Sequence, residues 1–301
     1  MNPAADRLLG GVEAGGTKFV LAVGRSPTEI VSRHTIHTRT PEATLGEALD
    51  WFTSQGNPCA LGPCALGPCA LGIASFGPLE LDRASSRWGH ITNTPKPGWS
   101  NCDIAGYFSE RLGVPIGFDT DVNGAALAES RFGAGKNAAS LAYVTVGTGI
   151  GGGLVIDGAP VHGAAHPEMG HIFPRRHPAD LGFGGICPHH RDCLEGLASG
   201  PAIKARWGTS LSGLPPDHEA ITIIADYLAQ LCHMLVAMTA VEIIVLGGGV
   251  MKTHGLLALI QARAAKLSAG YFPGQSKHRI VAPVLGDDAG LTGAICLAQS
   301  A

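Results

Sequence analysis

The sequence predicts an α/β protein of one large or two moderate domains, and three glycine-rich segments carry that expectation. The first is Gly10–Gly24 (GGVEAGGTKFVLAVG), the second Leu141–Gly158 (LAYVTVGTGIGGGLVIDG) and the third Val241–Met251 (VEIIVLGGGVM). In the first two, β-branched and apolar residues lead into a glycine–threonine turn, and a second apolar run follows, which is the pattern of a hairpin. In the third, a buried strand ends in three glycines, and helical spacing runs from Leu256 to Leu267. Strands alternating with helices over 301 residues suit a layered α/β architecture.

Composition narrows the class. Charged residues make up 15% and hydrophobic residues 45%, the reverse of a disordered chain. The 43 glycines follow no period of three, so the chain is not collagen-like. A formal charge of −3 leaves no basic footprint for nucleic acid. Residues 1–10 lack an apolar signal core, and no run of 18 apolar residues occurs, so a soluble cytoplasmic protein with no membrane partner is expected. A glycine excess without disorder points to close backbone approach, to a ligand or between elements.

The first turn, Gly15-Gly16-Thr17-Lys18, is not a Walker A loop, because the lysine follows the threonine and a strand follows both. The second turn contains Thr148, Gly149 and Gly151. Gly147, Gly149 and Gly152 satisfy G-x-G-x-x-G, but a dinucleotide site needs a helix next, and Leu-Val-Ile favours strand. What remains is a pair of phosphate-sized turns whose backbone N–H groups can close on an anion. Beyond the third segment, Gly247, Gly248 and Gly249 stand where ligands of open α/β sheets bind.

Other elements follow in order. Residues 59–72 copy a five-residue CALGP unit, too short for a solenoid repeat; Cys59, Cys64 and Cys69 in it read as neutral, and all eight cysteines as thiols or ligands. Phe118–Glu129 reads as a strand end followed by a helix, with Asp121 at the N-cap. Cys187, His190 and Cys193 form C-x-x-H-x-x-C, with His189 as the alternative imidazole. His171, 16 residues before Cys187, completes a Cys₂His₂ set typical of structural zinc. Ile223, Tyr227, Leu231 and Leu235 form an apolar stripe at helical spacing, read as core.

Glu13-Ala-Gly-Gly-Thr-Lys-Phe, Val146-Gly-Thr-Gly-Ile-Gly-Gly-Gly and Val245-Leu-Gly-Gly-Gly resemble the two phosphate motifs and the adenosine motif of sugar kinases with the actin/hexokinase-like (ribonuclease H-like) ATPase fold. More narrowly, the chain resembles the fructokinase branch of the ROK family (repressors, open reading frames and kinases). The resemblance implies two domains around a cleft: residues 1–117, rejoined by a helix at 290–301, and residues 118–289. It implies ATP-dependent phosphorylation of D-fructose to fructose 6-phosphate with Mg²⁺, in a homodimer. Glu13 stands where an aspartate near the metal is usual in the wider superfamily, and marks the branch. The catalytic base falls at Asp121, with Asp119 as runner-up and Asn123 structural. Asn93, Glu168, His171 and Glu195 match sugar-facing positions, and Gly15, Gly16, Thr17, Lys18, Thr148, Gly149, Gly151, Gly247 and Gly248 match nucleotide-facing ones. The branch pattern C-P-x-H-x-x-C selects His190 over His189 as a zinc ligand. The alternatives are a kinase preferring mannose or glucose, and a sugar-responsive regulator. Such regulators carry a helix-turn-helix ahead of the first phosphate loop, and about ten residues stand there in this sequence. Because both hairpins lie outside the cysteine-rich knuckle, loss of metal is expected to harm stability and sugar binding more than ATP binding.

Overall fold

The structure, a computed structural model, describes residues 8–55 and 68–301. Cys59 and Cys64 of the CALGP copies lie outside the described residues. Cys69 is disulfide-bonded, which corrects the reading of every cysteine as a thiol or ligand. The chain divides into two compact units. One comprises Met1–Ala128, Pro160–His166 and Asp287–Ala301, the other Glu129–Ala159 and Pro167–Gly286.

The first unit opens with β1 (Leu9–Ala14), β2 (Lys18–Ser26) and β3 (Glu29–His37), followed by α1 (Pro41–Ser54) and β4 (Leu71–Ser75). The short strands β5 (His90–Ile91) and β6 (Cys102–Asp103) precede α2 (Ile104–Leu112), β7 (Ile116–Thr120) and α3 (Asp121–Phe132), whose residues from Glu129 on belong to the second unit. The sheet order is β3-β2-β1-β4-β7. β1–β2 and β2–β3 pair antiparallel; β1–β4 and β4–β7 pair parallel. The division expected before Phe118 falls inside β7, a strand bonded along its length to β4. Threonine before proline starts α1 in the usual way, with Thr40 accepting the Ala43 N–H and Pro41 in the first turn.

The second unit contains β8 (Ser140–Val146), β9 (Ile150–Ile156) and β10 (Ala159–Pro160), then α4 (Leu194–Ala198), α5 (Gly200–Trp207) and α6 (Glu219–Thr239). β11 (Ile243–Gly247), α7 (Leu256–Ser268) and β12 (Arg279–Val281) complete it. Its sheet order, β10-β9-β8-β11-β12, repeats that of the first unit. Again the central strand forms an antiparallel hairpin on one side (β8–β9) and pairs parallel on the other (β8–β11). The two glycine–threonine turns therefore occupy equivalent places, each at the carboxyl end of a central strand. α6 is long and apolar enough to cross a membrane by length and composition, but 61% of its most apolar stretch is buried in the fold. Ile223, Tyr227, Leu231 and Leu235 are all buried, as the stripe predicts.

α8 (Ala289–Gln299) packs on β1, β4 and β7 of the first sheet. Strand alternation then explains why β2 is buried on both faces. Phe19, Leu21 and Val23 enter the main core, while Val20 and Ala22 meet Leu291 and Ile295 of α8. The glycine excess is partly this contact. A Cβ at Gly72 would run into the Ala294 carbonyl, and one at Gly117 into the Leu297 carbonyl, so helix and sheet approach at backbone distance.

Candidate active site

The first turn is braced from a neighbouring segment. The Gly15 N–H donates to the Lys18 carbonyl at 3.0 Å, and Thr38 donates its N–H to Thr17 O at 3.0 Å and its hydroxyl to Gly15 O at 2.7 Å. Lys96 Nζ donates to the Gly16 carbonyl. Gly16, Thr17 and Lys18 are exposed, leaving the turn accessible to an anion. Glu13, at the end of β1, is packed against Gly290, where a Cβ would meet its carboxylate. Burial raises its carboxyl above the usual range, partly offset by the charges of Lys18 and Arg33.

In the second turn, the Gly147 N–H donates to Gly149 O at 2.9 Å, and the Gly200 N–H donates to Gly147 O at 2.8 Å. Glu195 Oε2 accepts the Ile150 N–H at 2.9 Å. Gly147 and Thr148 form one wall of a cavity of about 520 Å³. Lys204 of α5, Ser212, Gly249 and Thr253 contribute to the others. The cavity lies past the end of β11, where α/β sheets bind ligands, and its volume suits a nucleotide base and ribose. Gly249 lines it. Gly247 and Gly248 have packing reasons of their own: a Cβ at Gly247 would lie 2.6 Å from the Tyr143 hydroxyl, and Gly248, at φ +92°, abuts the Val146 backbone.

The strand-to-helix corner after β7 separates the two candidate carboxylates. Asp119 is 2% exposed. Its Oδ1 accepts the Thr120 N–H and Asn123 Nδ2, each at 2.7 Å, and its Oδ2 lies 2.9 Å from His162 Nε2. Asp121 is half-buried and opens α3 as its first residue. The helix cap is Thr120, whose Oγ1 accepts the Asn123 N–H at 3.1 Å, so the N-cap position expected for Asp121 belongs to its neighbour.

The segment after β10 brings Glu168 and His171 together, with Glu168 Oε2 at 3.9 Å from His171 Nε2. The other ring nitrogen of His171 faces Cys193 Sγ at 3.5 Å, Cys187 Sγ at 3.9 Å and His190 Nδ1 at 3.3 Å. Cys187 Sγ is 3.8 Å from His190 Nδ1. The knuckle is a tight reversal, in which Cys187 and Arg191 exchange backbone bonds of 3.1 and 2.9 Å around a left-handed Arg191 (φ +55°). All four donor atoms lie within 4.8 Å of one another. A tetrahedral ion at ~2.3 Å from sulfur and ~2.0–2.1 Å from nitrogen sets donor separations of roughly 3.3–3.8 Å, so this set fits such an ion. His190 joins the cluster, and His189 is exposed outside it. Asn93 is exposed in the turn after β5.

The ROK family model matches residues 9–301. This chain belongs to the ROK family. It is 49% identical over 298 residues to the fructokinase of Zymomonas mobilis subsp. mobilis, covering 98% of this chain and 97% of that one. It is 41% identical over 299 residues to a putative fructokinase of Bacillus subtilis, covering 98% and 96%. Among solved structures, the ROK hexokinase from Thermus thermophilus aligns with a TM-score of 0.78 at 26% identity, covering 97% of this chain and 98% of that one. A ROK glucokinase from Streptomyces griseus, solved with glucose and AMPPNP, shares the fold at a TM-score of 0.73 and 24% identity, over 98% and 100% of the chains. The architecture is thus the actin/hexokinase-like fold of ROK proteins.

Three side chains of this ROK protein's candidate site carry no signal in the sequence. Lys204 lies in an ordinary amphipathic helix, Thr120 looks like the last residue of a strand, and His162 is a lone loop histidine. Lys204 and His162 are defined by groups that only the folded chain brings close, and Thr120 by the Asn123 N–H three residues on.

Proposed function

We propose that this chain is an ATP-dependent fructokinase that makes fructose 6-phosphate, with Asp121 as the base on the sugar hydroxyl. The observation that carries the reading is near-full-length identity of 49% to a fructokinase, combined with two glycine turns at equivalent ends of two like sheets. Asp119 already receives three donors and is buried, so taking a sugar proton would require breaking its own contacts. Asp121, the first residue of α3, is only half-buried, so its carboxylate is not sealed in as that of Asp119 is. It orients the hydroxyl and accepts its proton as the phosphoryl group transfers.

The turns at Gly15–Lys18 and Thr148–Gly151 hold phosphate oxygens with backbone N–H groups. The cavity bounded by Lys204 and Gly249, beside Gly247 and Gly248, takes the adenosine. Magnesium, when bound, supplies charge neutralisation on the phosphates. Asn93, Glu168, Glu195 and His171 through Nε2 face sugar hydroxyls. His171 Nδ1, Cys187, His190 and Cys193 would hold a structural zinc, which shapes the loop and takes no part in the chemistry. A cytoplasmic homodimer completes the reading.

The test is ADP release with fructose, mannose and glucose at equal concentrations. Fructose should give the highest kcat/KM. A higher value for glucose or mannose transfers the assignment to a different hexokinase, and no sugar-dependent ADP release overturns the kinase reading.

A further inference from the structure

Asp119 is a buried carboxylate with both oxygens engaged. Burying a carboxylate is costly unless its lone pairs are met, and best met by a cation. Thr120 and Asn123 satisfy Oδ1 from within the corner itself. Oδ2 faces His162 Nε2 at 2.9 Å, and the same ring nitrogen lies 3.3 Å from Asn123 Nδ2. His162 stands on the loop Pro160–His166, which packs with the first unit although its flanking residues belong to the second. His166, on the same loop, accepts the Leu79 N–H at 3.1 Å. The loop is thus tied down at both ends before the chain reaches Glu168.

The corner matters because of what it presents. Asp119 grips the backbone N–H of residue 120 and the side chain of residue 123, and Asp121 lies between them. Thr120 closes the same corner through its bond to the Asn123 N–H. Any rotation of this corner carries the Asp121 carboxylate with it. A base must lie within hydrogen-bond reach of its proton, and misplacement of about 1 Å can cost on the order of 10²-fold in rate.

We infer that His162 is a positioning residue for phosphoryl transfer: it anchors Asp119, and through Asp119 the strand–helix corner that presents Asp121. The inference rests on Asp121 being the base. The bond to Asp119 also raises the imidazole above its ordinary pKa, a shift that burial partly opposes. The Nε2–H donor is present in the imidazolium and in one neutral tautomer.

The test compares His162→Leu, His162→Asn and His162→Gln in the full chain. A glutamine amide nitrogen reaches the place of Nε2, an asparagine amide stops one bond short, and leucine offers no donor. Leucine and asparagine should lower kcat for fructose by at least about tenfold. KM for ATP should stay within about twofold of wild type, and glutamine should restore kcat to within about threefold, since only the local placement of Asp121 is disturbed. Thermal melts check folding, and if the leucine variant fails to fold, glutamine against asparagine decides alone. Wild-type kcat in all three overturns the inference, as does equal loss in glutamine and asparagine, or a KM for ATP that rises in step. Full activity of Asp121→Asn would remove the base assignment and this inference together. An inactive Asp121→Asn beside a fully active His162→Leu removes this inference alone.

Discussion

Glu195 accepts the backbone N–H of Ile150 at 2.9 Å, with the same oxygen 2.7 Å from where a Cβ on Gly149 would stand. Glu195 lies two residues past Cys193, on the first turn of α4. The second glycine turn and the cysteine–histidine knuckle are therefore joined through one carboxylate. From the sequence they look independent, and ATP binding is expected to outlast loss of the metal. The bond argues against that expectation, because a knuckle that loosens would release the brace on the turn.

The first prediction concerns the metal. Elemental analysis should find about one zinc per chain, as for a single four-ligand site. Cys193→Ser should lose it, lower thermal stability and weaken sugar binding, because metal-binding energy contributes to the folded state. Through Glu195 it should also weaken ATP binding, read by calorimetry. A metal-free preparation with full activity would show that the knuckle needs no ion.

Gly149→Val places a branched side chain against the Glu195 carboxylate, so either the turn or the carboxylate must move. ATP affinity should fall at least about tenfold, roughly the loss of one or two hydrogen bonds to a charged group. Unchanged affinity in a folded variant would mean that this turn does not touch the nucleotide.

Asp121→Asn keeps the shape of the residue and removes the base. Turnover should fall by at least about 10²-fold while ATP binding and the melting temperature hold, as expected for a positioned general base. Near-wild-type turnover would return the role to another group.

Glu13 sets up a pH experiment. Burial raises its carboxyl pKa, so the folded state binds that proton more tightly than the unfolded chain does. Its contribution to stability is then complete below the ordinary value of 4.5 and is lost as pH rises through the raised one. Glu13→Gln should therefore raise the melting temperature more at pH 8 than at pH 4. It should lower kcat as well, since a charge kept at the phosphate turn against its desolvation cost serves chemistry. An equal shift at both pH values would contradict the desolvation argument.

What was legible in the sequence was local. Both hairpins, the Ile223–Leu235 stripe and the Cys187–Cys193 knuckle are written in spacings of a few residues, and hydrophobic period or ligand chemistry suffices to read them. The cap of α3 was misplaced by one residue because threonine and aspartate both cap helices, and only the bond from Asn123 N–H decides between them. For Gly247 and Gly248 the sequence shows only missing side chains, and the fold adds a packing reason for each: the Tyr143 hydroxyl beside Gly247 and the Val146 backbone beside Gly248. His162 and Lys204 were illegible, since their meaning lies in groups distant along the chain.

The most direct measurement is the identity of the product formed from fructose and Mg²⁺-ATP, followed by ¹³C and ³¹P NMR. Fructose 6-phosphate should accumulate in step with ADP, and the reaction should collapse in Asp121→Asn. Fructose 1-phosphate as product, or ADP released without any sugar phosphate, would contradict the assignment.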